Sequence, residues 1–337
     1  MKRLSKIIVL IILFAGGAVL CALRWQAWFG EPSEPIWEQD TINYTFHGFG
    51  DEEVPHFRAT YTGWQDTKDS LKLRIVLFGD VHNSLTAALL DSVAARLEPI
   101  DAYAQLGDFM ERNYFYYRQA LINEIASSAF ADIPLMATPG NHEYSKTFPR
   151  TIKYSWLATF HNPYNGPSKF LGTTYYVDFP KLRFIAIDTK GLTHISDYTR
   201  TLTWLKSCMS SAGERFVVVM MHHPVISCAK GRQNILIKLF FRGALKKADL
   251  VFAGHDHGYA RRLPFINTNA ATKYYPANSS SKFEVRETGK RCYEVLTISG
   301  NTLLLQTYEL ESGVLLDEVC IIRHNEEEKI TKEIITR

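Results

Sequence analysis

LKLRIVLFGDVH, residues 71–82, is a β-rich run that stops abruptly at Gly79-Asp80. The stretch after it, SLTAALLDSVAARLEP, carries Leu85, Leu89, Val93 and Leu97 at helical spacing. This strand, loop and helix unit decides the fold class because the chain repeats it. AYAQL (102–106) ends at Gly107-Asp108 ahead of an aromatic-rich helix over about 114–126, and PLMA (134–137) ends at Pro139-Gly140-Asn141-His142. FVVVMM (216–221) ends at His222-His223-Pro224 and LVFA (250–253) at Gly254-His255-Asp256-His257. Helices are expected over 199–212 and 235–248, ahead of and between these two strands. TYYVDF and LRFIAID flank Pro180-Lys181 as an antiparallel pair, and CYEVLTI, TLLLQTYEL and VLLDEVCII form a closing meander. Strands alternating with helices imply an α/β domain. We place it at 71–323, with 324–337 as a charged tail that is either a solvated helix or a frayed end.

Composition agrees with one large folded domain. Of 337 residues, 46% are hydrophobic and 22% charged, which excludes a disordered or collagen-like chain. The net charge of +3 comes from Lys2, Arg3 and Lys6; without them 35 cations face 35 acids. A neutral body gives no general pull on nucleic acid.

Residues 7–23, IIVLIILFAGGAVLCAL, are uncharged and almost wholly apolar, at the short limit of the roughly 17 to 25 residues that span a bilayer as a helix. A cleaved signal peptide is the competing reading. The run lacks a good small-x-small cleavage site, so an uncleaved anchor is favoured. Three basic residues before the run and EPSEPIWEQD after it put residues 1–6 in the cytoplasm and the body outside, on the periplasmic face of the inner membrane in a bacterium. Residues 24–70 then form a juxtamembrane linker and irregular N-terminal segment. Cys208, Cys228, Cys292 and Cys320 lie beyond the anchor without metal-type spacing, so disulfides and free thiols both remain open.

Ligands of open α/β sheets gather beyond the carboxyl ends of strands. Five such ends carry Asp80/His82, Asp108, Asn141/His142, His222/His223 and His255/His257. A single Gly-Asp is usually a turn and a single His usually a hydrogen-bonded structural residue, but five clusters at five strand ends have no such ordinary account. Carboxylates and imidazoles are donors suited to Fe, Mn or Zn.

The motifs GDVH (79–82), GDFMER (107–112), GNHE (140–143), MHHP (221–224) and GHDH (254–257) resemble, in order, those of the calcineurin-like metallophosphoesterases. The resemblance covers about 71–262 and implies a two-sheet α/β/β/α sandwich, here preceded by one transmembrane helix. It implies one metal on Asp80, His82, Asp108 and His257 and a second on Asp108, Asn141, His222 and His255, with Asp108 shared. His142 would protonate the leaving oxygen, Glu111 would orient His142, and Arg112 would take up phosphoryl charge, while metal-activated hydroxide attacks phosphorus. His223 falls to a supporting or core position.

GHDHGYAR with YYVDFPKLRFIAIDT is most similar to the purple acid phosphatase-like branch. That branch has a Tyr ligand three residues after the shared Asp, where this chain has Glu111. Tyr259 and Arg261 either shape the mouth of the site or only pack it. The reading is thus a membrane-anchored, extracytoplasmic dimetal phosphoesterase acting on a small phosphate ester. The alternatives are a phosphodiesterase, a nucleotide pyrophosphohydrolase or a nuclease on the same fold, and, from another class, a non-catalytic membrane-anchored binding module. Leaving-group recognition falls to the loops 144–172, 190–200 and 227–235.

Overall fold

The computed structural model describes residues 72–97, 99–112, 115–144, 156, 160, 162–326 and 329–337. The apolar run 7–23 and the linker 24–70 lie outside them. Among the described residues, no helix is long and apolar enough to cross a membrane.

Two seven-stranded sheets form the frame. The first contains β1 (Lys72–Phe78), β2 (Ala102–Gln105), β3 (Leu135–Ala137), β11 (Cys292–Ser299), β12 (Thr302–Glu309), β13 (Leu315–Glu326) and β14 (Lys329–Thr336), in the order β14-β13-β12-β11-β1-β2-β3. β1, β2 and β3 run parallel, and β11 to β14 continue the sheet antiparallel from the other side of β1. The second contains β4 (Tyr175–Phe179), β5 (Leu182–Ile187), β6 (Phe216–Met221), β7 (Leu250–Ala253), β8 (Tyr259–Arg262), β9 (Phe265–Asn267) and β10 (Val285–Glu287), ordered β10-β8-β9-β7-β6-β5-β4. Here β5, β6, β7 and β9 are parallel. Helices α1 (Ala87–Leu97) and α2 (Phe115–Ala126) accompany the first sheet, and α3 (Ile195–Ser210) and α4 (Ile235–Leu245) the second.

The period of two along each strand explains the layering. In β1, Ile75 and Leu77 face the inter-sheet core with Ala104, Met136, Phe184, Met220, Phe252 and Leu305. Val76 and Phe78 face the opposite way, against Leu90 and Val93 of α1 and Ile122 and Ile125 of α2. Ile185 and Val219 likewise meet Leu205 of α3 and Ile237 and Phe241 of α4. Strands buried on both faces read as continuous apolar runs, which is why FVVVMM and LVFA were legible. The result is the expected α/β/β/α sandwich.

Two expectations are corrected. The stretch 324–337 is neither helix nor frayed end: β13 runs on through His324 to Glu326, and β14 pairs with it antiparallel, Ile321 opposite Ile334. Lys332 and Glu333, with Arg337 just past its end, charge this edge strand and Ile334 and Ile335 stay exposed on it, so neither hydrophobicity nor alternation marked it. The α1 stripe departs at one position: Leu85 and Val93 are buried and Leu97 packs on the core as expected, but Leu90 and Ala94 are buried where Leu89 stays half-buried. The thiols of Cys208, Cys228, Cys292 and Cys320 are all free.

Candidate metal centre

The parallel strands β1, β2, β3, β6 and β7 deliver their carboxyl-terminal loops to one place. Every non-glycine residue with positive φ among the described residues lies in those loops: Asp80, His82, Asn83, Asp108, His255 and His257. L-residues avoid this region, and such strain persists where surrounding structure over-determines it, most often at functional sites. Glycines permit the close approach. A Cβ on Gly140 would sit 2.3 Å from the Asp108 amide and carboxylate, and one on Gly254 would sit 2.7 Å from Asp80 Oδ2.

The structure brings together all seven residues of the two expected sets. In the first, His82 Nε2 lies 3.2 Å from His257 Nε2 and 3.6 Å from Asp108 Oδ2, while His257 Nε2 is 3.8 Å from Asp80 Oδ1. In the second, His222 Nε2 lies 3.1 Å from Asn141 Oδ1, 3.2 Å from His255 Nδ1 and 3.4 Å from Asp108 Oδ2. One carboxylate oxygen of Asp108 therefore faces both sets. Its other oxygen is held by the His142 amide at 2.8 Å.

These donors fit metal ions. Ligating imidazoles donate the far ring N–H to a carbonyl or carboxylate and so present the near nitrogen. His222 Nδ1 pairs with the Leu106 carbonyl at 3.0 Å, His257 Nδ1 with the Lys273 carbonyl at 2.9 Å, and His82 Nδ1 faces Glu111 Oε2 at 3.3 Å. Burial lowers His82 to about 4 and His257 to about 3, so both rings are neutral near pH 7. His255 is likewise lowered by burial, with His223 adding to the effect. Burial also works against charge on His222, but Asp108, through charge and hydrogen bonding, and Asp80 outweigh it and raise the ring to about 9. Burial raises Asp80, whose Oδ2 is buried with no hydrogen-bond partner. A cation between facing ring nitrogens and carboxylates would satisfy all of these groups.

The loops are braced by Glu143, the last letter of GNHE. Its buried carboxylate accepts the amides of Asp108 (2.9 Å), Phe109 (2.8 Å), Met110 (3.2 Å) and Gly140 (2.6 Å), tying the β2 loop to the β3 loop. Asp256, the third letter of GHDH, does the same for the loop after β6, accepting the amides of Cys228 and Ala229 at 2.6 and 3.3 Å.

His142 stands beside the first set, its ring edge-on to His82 at 4.5 Å between centroids and its Nε2 3.9 Å from Asp108 Oδ2. The expected carboxylate contact from Glu111 to His142 is not what the fold makes. His142 Nδ1 meets the main-chain carbonyl of Glu111, whose carboxylate faces His82 instead. Arg112 is exposed, and no contact among the described residues ties it to the cluster. Tyr259 and Arg261 take the packing alternative: both bond Asp317 in the buried interior, at 2.6 Å from Tyr259 Oη and 2.6 Å from Arg261 Nε.

Two residues, Arg232 and Tyr275, escaped the sequence reading. Arg232, in the 227–235 loop, donates to the His255 carbonyl at 2.8 Å and approaches His255 Nδ1 at 3.1 Å. Its guanidinium lies 4.0 Å over the ring of Tyr275, which in turn packs on His257 at 4.7 Å. His223 takes the supporting alternative: it is buried, 4.5 Å from the His255 ring, and its Nδ1 pairs with Thr189 Oγ1 at 2.9 Å. Only the second His of MHHP signalled its presence; an Arg and a Tyr in irregular loops carry no pattern.

A family model described as calcineurin-like phosphoesterase matches residues 73–259, more than half of the chain. The chain belongs to the calcineurin-like phosphoesterase family. That family uses a dinuclear metal centre, and the Asp80, His82, Asp108 and His257 cluster is where this member gathers its first set of donors. Glycerophosphodiester phosphodiesterase GpdQ of Enterobacter lignolyticus is 25% identical over 136 residues, 37% of this chain and 45% of that protein. The match thus spans less than half of that relative. Among solved structures, purple acid phosphatase PPD1 from yellow lupin superposes with a TM-score of 0.56 at 16% identity, over 73% of this chain and 53% of the lupin chain. GAP50, the anchor in the inner membrane complex of Plasmodium, gives 0.54 at 17% identity, over 73% of this chain and 87% of that one. Both likenesses are of fold.

Proposed function

We propose that this chain hydrolyses a small phosphate ester at a two-metal centre, with Asp80, His82, Asp108 and His257 holding one ion, Asn141, His222 and His255 the other, and Asp108 bridging. The observation that carries this reading is the position of Asp108 Oδ2, 3.6 Å from His82 Nε2 of one set and 3.4 Å from His222 Nε2 of the other. When bound, two such cations supply Lewis acidity that makes water a competent nucleophile near neutral pH and offsets phosphoryl charge. Imidazole and carboxylate donors with one amide suit Fe, Mn or Zn.

The chain's own residues do the rest. His142, anchored through Nδ1 and a quarter exposed, presents Nε2 as the group that gives a proton to the leaving oxygen. Arg232 is the cation at hand for phosphoryl oxygens. Its guanidinium is preset by stacking on Tyr275 and by its bond to the His255 carbonyl, so little rotamer freedom is lost on binding. Glu111 acts on the first set through His82.

GpdQ is named a phosphodiesterase, which favours a diester as the second reading. GAP50 is described as an anchor, which would suit a binding module, but seven converging donors, with the far nitrogens of His222 and His257 bonded to carbonyls, argue for a working centre. The body is proposed to sit outside the cytoplasm on the 7–23 anchor, and a reporter fused after Arg337 should be active only if it works there. The deciding experiment is to purify the full chain, quantify bound metal, and assay monoesters, diesters and nucleotides. About two ions per chain with turnover of one ester class supports the reading; a metal-free chain inactive on every class after Fe, Mn and Zn addition would refute it.

A further inference from the structure

Helix α4 leaves the site as NILIKLFFRGALKK, with Asn234 capping it by accepting the Ile237 amide at 3.1 Å. Ile237, Phe241, Ala244 and Leu245 face the second sheet. The opposite face is apolar where solvent-facing residues are ordinarily polar: Ile235 is 74% exposed, Leu239 71% and Leu236 38%. Ile235 and Leu239 are one turn apart, and Arg242 and Lys246 continue the same stripe at i+7 and i+11. Lys238 and Lys247 flank it. Between Glu214 and Asp249 the chain has Arg215, Lys230, Arg232, Lys238, Arg242, Lys246 and Lys247 and no carboxylate. Helix α3, which packs beside α4 through Tyr198 on Phe240, adds Arg200 and Lys206. Its single acid, Asp197, is buried and paired with Lys169 at 2.8 Å.

A helix with exposed branched aliphatics bordered only by cations matches the interface of an anionic bilayer. The aliphatics enter the acyl boundary while lysines and arginines meet lipid phosphates. We propose that α4 docks this domain on an anionic lipid surface, a contact separate from the 7–23 run. Arg232, three residues before the first exposed isoleucine, bonds the His255 carbonyl, so docking brings the mouth of the metal centre to the headgroup layer.

The test uses the full chain with Leu239→Cys carrying a nitrobenzoxadiazole label, the unsubstituted chain labelled alike serving to subtract native thiols. It is reconstituted in vesicles of phosphatidylcholine alone, and of phosphatidylcholine with roughly a third phosphatidylglycerol, where a surface charge acts on each nearby Lys or Arg. The expected result is a blue-shifted, brighter label in the anionic vesicles only, reversed by high salt. In Lys246→Gln/Lys247→Gln the ratio of docked to undocked chain should fall about fivefold for each charge removed. An unshifted label in both vesicles overturns the proposal, as does an equal shift in both. A shift that rises with protein-to-lipid ratio assigns the face to a second copy, and a shift already present in detergent assigns it to another segment of this chain; either result also overturns it.

Discussion

Asp108 is where one residue has consequences for the whole centre. Its Oδ2 faces both donor sets and its Oδ1 is held by the His142 amide, so the carboxylate has little freedom to serve one set alone. Asp108→Asn should therefore weaken both ions, whereas Asp80→Asn should deplete mainly one and Asn141→Ala mainly the other. Metal content measured on each purified variant checks this, and full occupancy in Asp108→Asn would remove the bridge. His142 is separable from metal binding because its Nδ1 is used by a carbonyl and its ring lies beside the sets rather than within them. His142→Asn should keep its metals but lose about a hundredfold or more on alkyl phosphates and far less on nitrophenyl phosphate, whose phenolate leaves unaided. An equal loss on both substrates at full metal content would assign His142 to positioning.

The loops at the strand ends work as elements because carboxylates clamp them to each other. Glu143 takes four amides from the β2 and β3 loops, and Gly140 lets the Asp108 backbone approach to a distance that no side chain tolerates. Gly140→Ala should push the two loops apart, costing about 1 to 3 kcal/mol as overpacked sites do, with metal content falling alongside. Urea midpoints and metal analysis test this; unchanged values would mean that the loops yield without disturbing Asp108. The same elements explain what could be read in advance. β1, β2, β6 and β7 are buried on both faces and end in residues with distinctive chemistry, so strand and motif announced each other. β8, β9 and β10 are only three or four residues long, too short for a period to show, and in YARR and VRE Arg261 and Arg286 bond partners within the fold, so charge masked two of the three. Arg232 and Tyr275 were invisible for a related reason: they meet only because Asp256 fixes the β6 loop by its backbone, a contact 28 residues away in sequence.

At the scale of the whole molecule, two sheets packed face to face bury an apolar layer between them, and Glu294 puts a carboxyl group in that layer. Glu294 on β11 is fully buried, receives the Cys292 thiol at 3.6 Å, and has an Oε2 without a hydrogen-bond partner. Burial raises it to about 8 from the ordinary 4.5. Below pH 4.5 it is protonated in folded and unfolded chains alike and contributes no pH dependence. Between 4.5 and 8 the unfolded chain releases this proton while the folded one retains it, so stability falls as pH rises, and above 8 the full penalty applies, about 5 kcal/mol at the upper limit. Glu294→Gln keeps the size and polarity of the protonated acid and has nothing to titrate. It should match the parent near pH 4.5 and become progressively more stable than the parent toward pH 8. Urea unfolding of both chains at matched pH, each with chelator so that metal binding cancels, gives the difference directly. A constant difference across that range would mean that Glu294 is solvated in the folded chain and that the inter-sheet layer admits water.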